Sequence, residues 1–201
     1  MSFVFDNLVS TRPFTKPPRI VVLHWSGSVG SDPMRIVNAL RGRKGPLTPA
    51  GLSCHYVIGK TGQVLQTASL DRRCLHAGGV NDSSIGIEVS CPGFSFGPYD
   101  REPDDWTVYR DIIKGRRIAM VDYRPEQYAA LRGVLLHISA ETGIPLIVPT
   151  YPDPVTHTAG DHLVTDQMIK EELGSFRGVI GHYHCSKTKV DCGTRPLLWV
   201  Q

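Results

Sequence analysis

Hydrophobic residues in this chain fall into short runs whose period changes along the sequence, separated by polar, Gly- and Pro-containing stretches. Ile20-Val21-Val22-Leu23 is continuous, apolar and mostly β-branched, the pattern of a central strand buried on both faces. Asp32 and Pro33 read as a helix start, with Pro at the first helical position. Met34, Val37 and Leu40 follow at three-residue spacing, with Ile36 alongside, and predict a short amphipathic helix. Tyr56-Val57-Ile58 and Val64-Leu65-Gln66 flank Lys60-Thr61-Gly62 as a β-hairpin. From Ser84 to Ser90 the period is two: Ile85, Ile87 and Val89 share one face, Gly86 and Glu88 the other. Pro125 opens the clearest helix, with Tyr128, Leu131, Leu135 and Ile138 on one side and Gly143 as its stop. A shorter helix is expected over 166–173, ahead of Gly178-Val179-Ile180-Gly181.

The intervening segments are less regular. Residues 1–18 read as an irregular lead-in ending in Lys16-Pro17-Pro18, and 42–51 and 144–164 as loops. Residues 91–124, rich in Pro, Gly and charge, read as an insertion or long surface excursion, with Ile118-Ala119-Met120-Val121 as an edge strand. With no internal repeat and no linker, residues 1–201 are expected to form one domain, and interleaved strands and helices predict an α/β fold with a central mixed sheet flanked by helices. A chain of 201 residues buries roughly 70% of its extended surface, enough to fold without disulfides.

Composition narrows the function classes. The 22 basic and 19 acidic residues leave a net charge of +3, too mild a balance for a nucleic-acid binder. No run reaches 18 apolar residues, so membrane insertion is not expected. The N-terminal stretch lacks a basic segment followed by an apolar one and does not read as a signal peptide, which predicts synthesis in the cytoplasm. Five scattered cysteines without a CxxC pair fit reduced thiols. A monomer is expected.

Three places could carry chemistry. His24 leaves the first apolar strand, where a buried sheet presents its next side chain to the cleft at its edge. The segment from Gly181 to Gly193 holds His182, His184, Cys185, Asp191 and Cys192, all able to bind zinc. Within it Lys189 and Asp191 are two apart and share a side if the segment is extended, which suits hydrolysis of a polarised carbonyl or, equally, a surface Lys–Asp pair. Glu88, opposite three apolar neighbours with Gly86 leaving space beside it, is either a solvent-facing strand residue or a general base lining a cleft. His137 beside the long helix's apolar face reads as packing, and His157 and His162 fall in a polar loop.

Taken together, VVLHWSGS, LSCHYVIGKTGQVLQ, HAGGVNDSSIGIEVS and GVIGHYHCSKTKVDCG resemble, in order, the motifs of the zinc-dependent N-acetylmuramoyl-L-alanine amidases, over roughly residues 19–90 and 125–194. That family includes phage lysozyme-type and cytosolic muropeptide amidases, and animal peptidoglycan recognition proteins share its fold. The resemblance implies zinc in a surface groove held by His24, His182 and Asp191, Lys189 as electrophilic helper, Glu88 as base, and His76 and Asn81 lining the substrate groove. It implies a peptidoglycan or muropeptide substrate, with an endolysin, a cytosolic recycler and a silent binding module as the readings to separate. Two departures stand out: Cys54 precedes His55 where many members have Tyr, shifting weight to Glu88, and Cys192 beside Asp191 is an alternative third ligand.

Overall fold

The computed structural model describes residues 4–5, 12–27, 32–44, 51–94, 106–151 and 162–200. Along the chain run β1 (Val4–Phe5), β2 (Ile20–Trp25), α1 (Pro33–Gly42), β3 (Tyr56–Ile58), β4 (Val64–Gln66), β5 (Ser84–Val89), β6 (Val108–Ile113), β7 (Arg116–Val121), α2 (Pro125–Thr142), β8 (Thr150–Tyr151), β9 (His162–Leu163), α3 (Lys170–Ser175), β10 (Gly178–Gly181), α4 (His182–Cys185) and α5 (Arg195–Leu198). Six strands form a mixed sheet in the order β1-β4-β3-β5-β2-β10, and β6–β7 and β8–β9 form two-stranded ribbons. In the sheet β3 and β4 are antiparallel, whereas β5, β2 and β10 run parallel. The expected fold class is the one observed.

Alternation along the parallel strands divides the core. One face of the sheet (Val21, Leu23, Ile85, Ile87, Val89, Tyr56, Val179) packs on α2 and on the β6–β7 ribbon. Helix α2 begins at Pro125 and stops at Gly143, which takes the left-handed conformation (φ 69°) that ends helices cheaply only at Gly. Its buried Leu131, Leu135 and Ile138 each contribute about 1.5–3 kcal/mol of burial. Its other buried positions are Gln127, Ala130 and Val134, and Tyr128 is displaced to the margin. Gln127 is buried because its amide donates to the carbonyls of Gly59 (3.2 Å) and Ser90 (2.6 Å), bolting the helix start to the sheet.

The opposite face is covered in two separate patches. Helix α1, capped by Asp32 Oδ1 accepting from Met34 N–H at 2.9 Å, places Ile36, Val37 and Leu40 on Val57 and Leu65. Val164, Met168, Ala77 and Val80 cover Ile20, Val22 and Ile180. Gly86, Glu88 and His24 lie on this face beyond both patches, by the alternation of β5 and β2.

Four expectations need correction. Within the lead-in, Val4–Phe5 forms β1, parallel to β4. Residues 106–124 are not the expected surface excursion: Tyr109, Ile113, Met120 and Val121 are core residues, and Arg116–Val121 pairs with a strand that the sequence reading missed, Val108–Ile113. That strand alternates cleanly, but its inward set includes Asp111, which breaks the apolar signature. The third helix begins at Lys170 rather than near 166, because Met168 N–H donates to the carbonyl of His184 (2.9 Å) and holds the preceding residues out of the helix. The 144–164 loop includes the paired strands β8 and β9. Residues 1–3, 6–11, 45–50, 95–105 and 152–161, which carry parts of the expected lead-in, loops and excursion, lie outside the described residues.

Candidate active site

Parallel pairing brings three distant residues to one level. His24 on β2 is paired with Glu88 on β5, and Gly181 on β10 with Leu23, so His182 follows β10 level with His24. Carboxyl ends of adjacent parallel strands are where α/β sheets place ligands. Asp191 returns to the same point after α4, its carbonyl accepting from Tyr183 N–H at 3.0 Å.

His24 Nδ1 lies 3.1 Å from His182 Nδ1 and 3.2 Å from Asp191 Oδ2, and His182 Nδ1 lies 3.0 Å from Asp191 Oδ2. All three residues are buried. Burial pushes His24 down to about 4, keeping its imidazole neutral at physiological pH. Burial also opposes ionisation of Asp191, yet hydrogen bonding in the cluster, His182 foremost, outweighs it and holds the carboxyl below the usual range.

The far side of His24 fixes its tautomer. Ser84 Oγ donates to the carbonyl of Val80 at 2.8 Å, so toward His76 Nε2, 3.2 Å away, it accepts. His76 therefore carries its proton on Nε2 and offers a bare Nδ1 to His24 Nε2–H at 3.0 Å. His24 Nδ1 is left as a lone pair facing the carboxylate oxygen of Asp191. Two acceptors at that distance call for a cation between them. Two imidazoles and a carboxylate are a donor set that suits zinc with one position open, and the observed separations approach the ~3.4 Å expected between donors about 2.0–2.1 Å from one ion. The residues fit the metal.

Gly86 makes the His76 seat possible: a Cβ there would lie 2.6 Å from His76 Cγ. A glycine within an otherwise apolar strand is the sequence signal for such close approach. Asn81 Oδ1 accepts from the backbone N–H groups of His76 (2.9 Å) and Ala77 (2.8 Å), shaping the turn that presents His76. His55 accepts from Gly86 N–H (3.0 Å) and donates to the carbonyl of Arg72 (2.7 Å), so both its nitrogens serve the fold.

Glu88 is buried, and burial with the nearby charge of Asp191 raises its carboxyl well above the ordinary value, opposed by Arg43 and Lys189. Lys189 is exposed and lines a cavity of about 390 Å³ that also reaches Asp191. The β6–β7 ribbon braces this loop: Lys114 Nζ donates to the carbonyls of Ser186 and Lys189, and Asp111 accepts from Thr194 N–H at 2.7 Å. Sequence reasoning missed both braces, which only the ribbon's packing reveals.

The other donors turn elsewhere. His184 accepts from Gly181 N–H (3.0 Å) and donates to the carbonyl of Val164 (2.8 Å). Cys192 is buried in the core. Among the described residues, the group of three or more His, Cys, Asp or Glu positioned to hold one metal ion is His24, His182 and Asp191. His137 packs edge-on against Tyr56, His162 is exposed in β9, and His157 lies outside the described residues.

The fold and the converging donors together define a mixed α/β domain with a metal-type cluster at the carboxyl edge of its central sheet. By sequence, residues 14–194 match the family described as N-acetylmuramoyl-L-alanine amidase, and the chain belongs to it. Members of this family are typically zinc enzymes. No curated protein matches the chain significantly. Among solved structures, a selenomethionine AmpD derivative is 18% identical, with 95% of this chain and 93% of that one covered and a TM-score of 0.50. The amidase AmiD from E. coli, in complex with anhydro-N-acetylmuramic acid-L-Ala-D-gamma-Glu-L-Lys, is 20% identical over 64% of this chain, at a TM-score of 0.42; this chain spans 45% of its length. The Ph2119 endolysin from a Thermus scotoductus bacteriophage is 18% identical over 89% of this chain and 79% of its own, at 0.47. Insect peptidoglycan recognition proteins also match.

Among the described residues, no helix is long and apolar enough to cross a membrane.

Proposed function

We propose that this chain is a zinc-dependent amidase that hydrolyses the bond between the lactyl group of N-acetylmuramic acid and the L-alanine of the stem peptide. The observation carrying this reading is the convergence of His24 Nδ1, His182 Nδ1 and Asp191 Oδ2, with Glu88 level with His24 on the neighbouring strand. Those three atoms would hold the metal, which when bound would supply a Lewis acid for the amide carbonyl. Glu88 takes a proton from the attacking water and passes it to the departing alanine nitrogen, and burial, with Asp191 nearby, makes its carboxylate more basic than an ordinary one. Lys189 stabilises the negative charge that develops on the carbonyl oxygen. His76 holds the ring of His24 in the ligating tautomer, and Asn81 holds the turn beneath His76, so both serve the groove from behind the cluster.

The biological setting that fits best is a phage-type endolysin, since a net charge of +3 favours contact with anionic walls. A cytosolic recycler of anhydro-muropeptides is the second reading. Mass spectrometry of products released from purified peptidoglycan, with and without a zinc chelator, tests the chemistry. Free stem peptides beginning at L-alanine, lost on chelation, are expected; new reducing sugar ends would mean a glycosidase. Far faster cleavage of soluble anhydro-muropeptides than of intact sacculi would replace the endolysin by the recycler. A chain that sediments with walls but releases nothing would be a binding module.

A further inference from the structure

The cavity beside Asp191 has a distinctive lining: Trp25 and Phe94 (ring centroids 5.7 Å apart) among apolar atoms, and Arg116, Arg117 and Lys189 as cations. Asp191 is the acid among its lining residues, and it faces two imidazoles. Such a wall suits a ligand that is anionic and carries some apolar surface.

The β6–β7 register separates the two arginines. Opposed residues of an antiparallel pair share a face, and the face alternates residue by residue. Arg116 pairs with Ile113, two residues from the Asp111–Ile118 pair and four from Tyr109–Met120. Those pairs form the inward face, where Tyr109, Asp111, Ile113 and Met120 are buried and Asp111 grips Thr194. Arg116 is therefore on the inward face at the ribbon's end, and it lines the cavity together with Lys189 and Asp191. Arg117 and Arg110 belong to the other, outward face; Arg117 meets the cavity from there, whereas Arg110 does not line it. Among the described residues, no carboxylate forms an ion pair with Arg116, although it is exposed.

The chemistry of the proposed substrate, on which this step rests, says which part the arginine meets. The lactyl carboxyl is consumed in the amide being cut, so the sugar side brings no charge to this bond. A stem peptide's γ-linked glutamate, one residue past L-alanine, keeps its α-carboxylate free. We propose that Arg116 forms an anion subsite for that peptide carboxylate, so that the ribbon side of the metal cluster receives the peptide and the sugar extends the opposite way. Arg116 is thus a specificity residue, discriminating a free glutamate from its amidated counterpart.

The test titrates zinc-loaded full-length protein with L-Ala-γ-D-Glu-L-Lys and with the same tripeptide amidated at the glutamate α-carboxyl, neither of which contains the scissile bond. Wild type should bind the free acid at least tenfold more tightly. Arg116→Gln should abolish that preference with the amide's affinity unchanged. Arg116→Lys should retain part of it, and Arg110→Gln, on the outward face, all of it. Equal binding of the two peptides by wild type, a preference surviving in Arg116→Gln, or equal weakening of both peptides would overturn the subsite. Release of stem peptide from muramoyl tripeptide is measured in parallel. Turnover without a carboxylate preference sinks the subsite alone, and a preference without turnover sinks the amidase reading alone.

Discussion

Gly86→Ala is the most informative single-methyl perturbation of this site. The glycine sits in β5 with ordinary strand geometry, so the alanine backbone is unstrained and the effect comes from contact alone. The new Cβ would meet His76 Cγ, Cδ2 and Nδ1 at 2.6, 2.7 and 2.8 Å, whereas ordinary contact begins at 3.4 Å. The ring has no slack to absorb this, because it bridges His24 Nε2 at 3.0 Å and Ser84 Oγ at 3.2 Å. Overpacking of this kind costs about 1–3 kcal/mol. Breaking the His24–His76 hydrogen bond adds about 1 kcal/mol. Losing the partner that orients a metal-binding histidine typically weakens metal affinity 10–100-fold. Guanidinium unfolding of the chelated protein and zinc competition against a chromophoric chelator read the two effects separately. Adding His76→Ala to Gly86→Ala, which removes the clash but also the orienting ring, should keep the loss of zinc affinity while recovering part of the packing cost. Wild-type zinc affinity in both variants would refute the claim that His76 holds His24 in its ligating tautomer.

Other outcomes follow from the same geometry. Glu88→Ala should lower turnover by about 10²–10⁴ while zinc stoichiometry by atomic absorption stays at the wild-type value; normal turnover would dismiss Glu88 as the base. Lys189→Ala should lower kcat by about 10²–10³ with zinc retained. His182→Ala should lose the metal itself, and dialysed protein that still carries stoichiometric zinc would count against the cluster. In chelated protein, stability should fall as pH drops from 6.5 toward 4. Burial holds His55 and His184 at about 4 when folded, so the unfolded chain takes up protons first in that window, at about 1.4 kcal/mol per pH unit for each histidine. Urea midpoints at pH 7.5 and pH 5 check this, and equal midpoints would contradict it.

The strongly periodic elements were legible in the sequence. Ile20–Leu23, the β3–β4 hairpin, β5 and the helix from Pro125 to Gly143 follow from apolar spacing and their punctuation. The proposed ligands His24, His182 and Asp191 could be named from motifs, but not the reason they converge, since parallel pairing of β5, β2 and β10 leaves no local signature. Val108–Ile113 escaped because Asp111 occupies an inward position, and an inward acid is legible only once its partner Thr194, 83 residues away, is known. His76 illustrates the same limit. Its motif marks it as functional, yet its role depends on a glycine ten positions later and on a serine whose hydroxyl is already committed to Val80.

The two imidazoles of the cluster are 158 residues apart, and the strand preceding the second is the last to join the central sheet in sequence order. A partly folded chain in which β2 and β5 have paired but β10 has not would present one ligand of the two. Contacts of such separation form late, after long loops have closed. Metal capture by the proposed site would consequently be tied to completion of the sheet. Metal at about 100 times its dissociation constant would stabilise the finished fold by roughly 2.7 kcal/mol over the unfolded chain. With metal bound, the cluster would act as a latch, closing only when both ends of the topology have met and then slowing their separation.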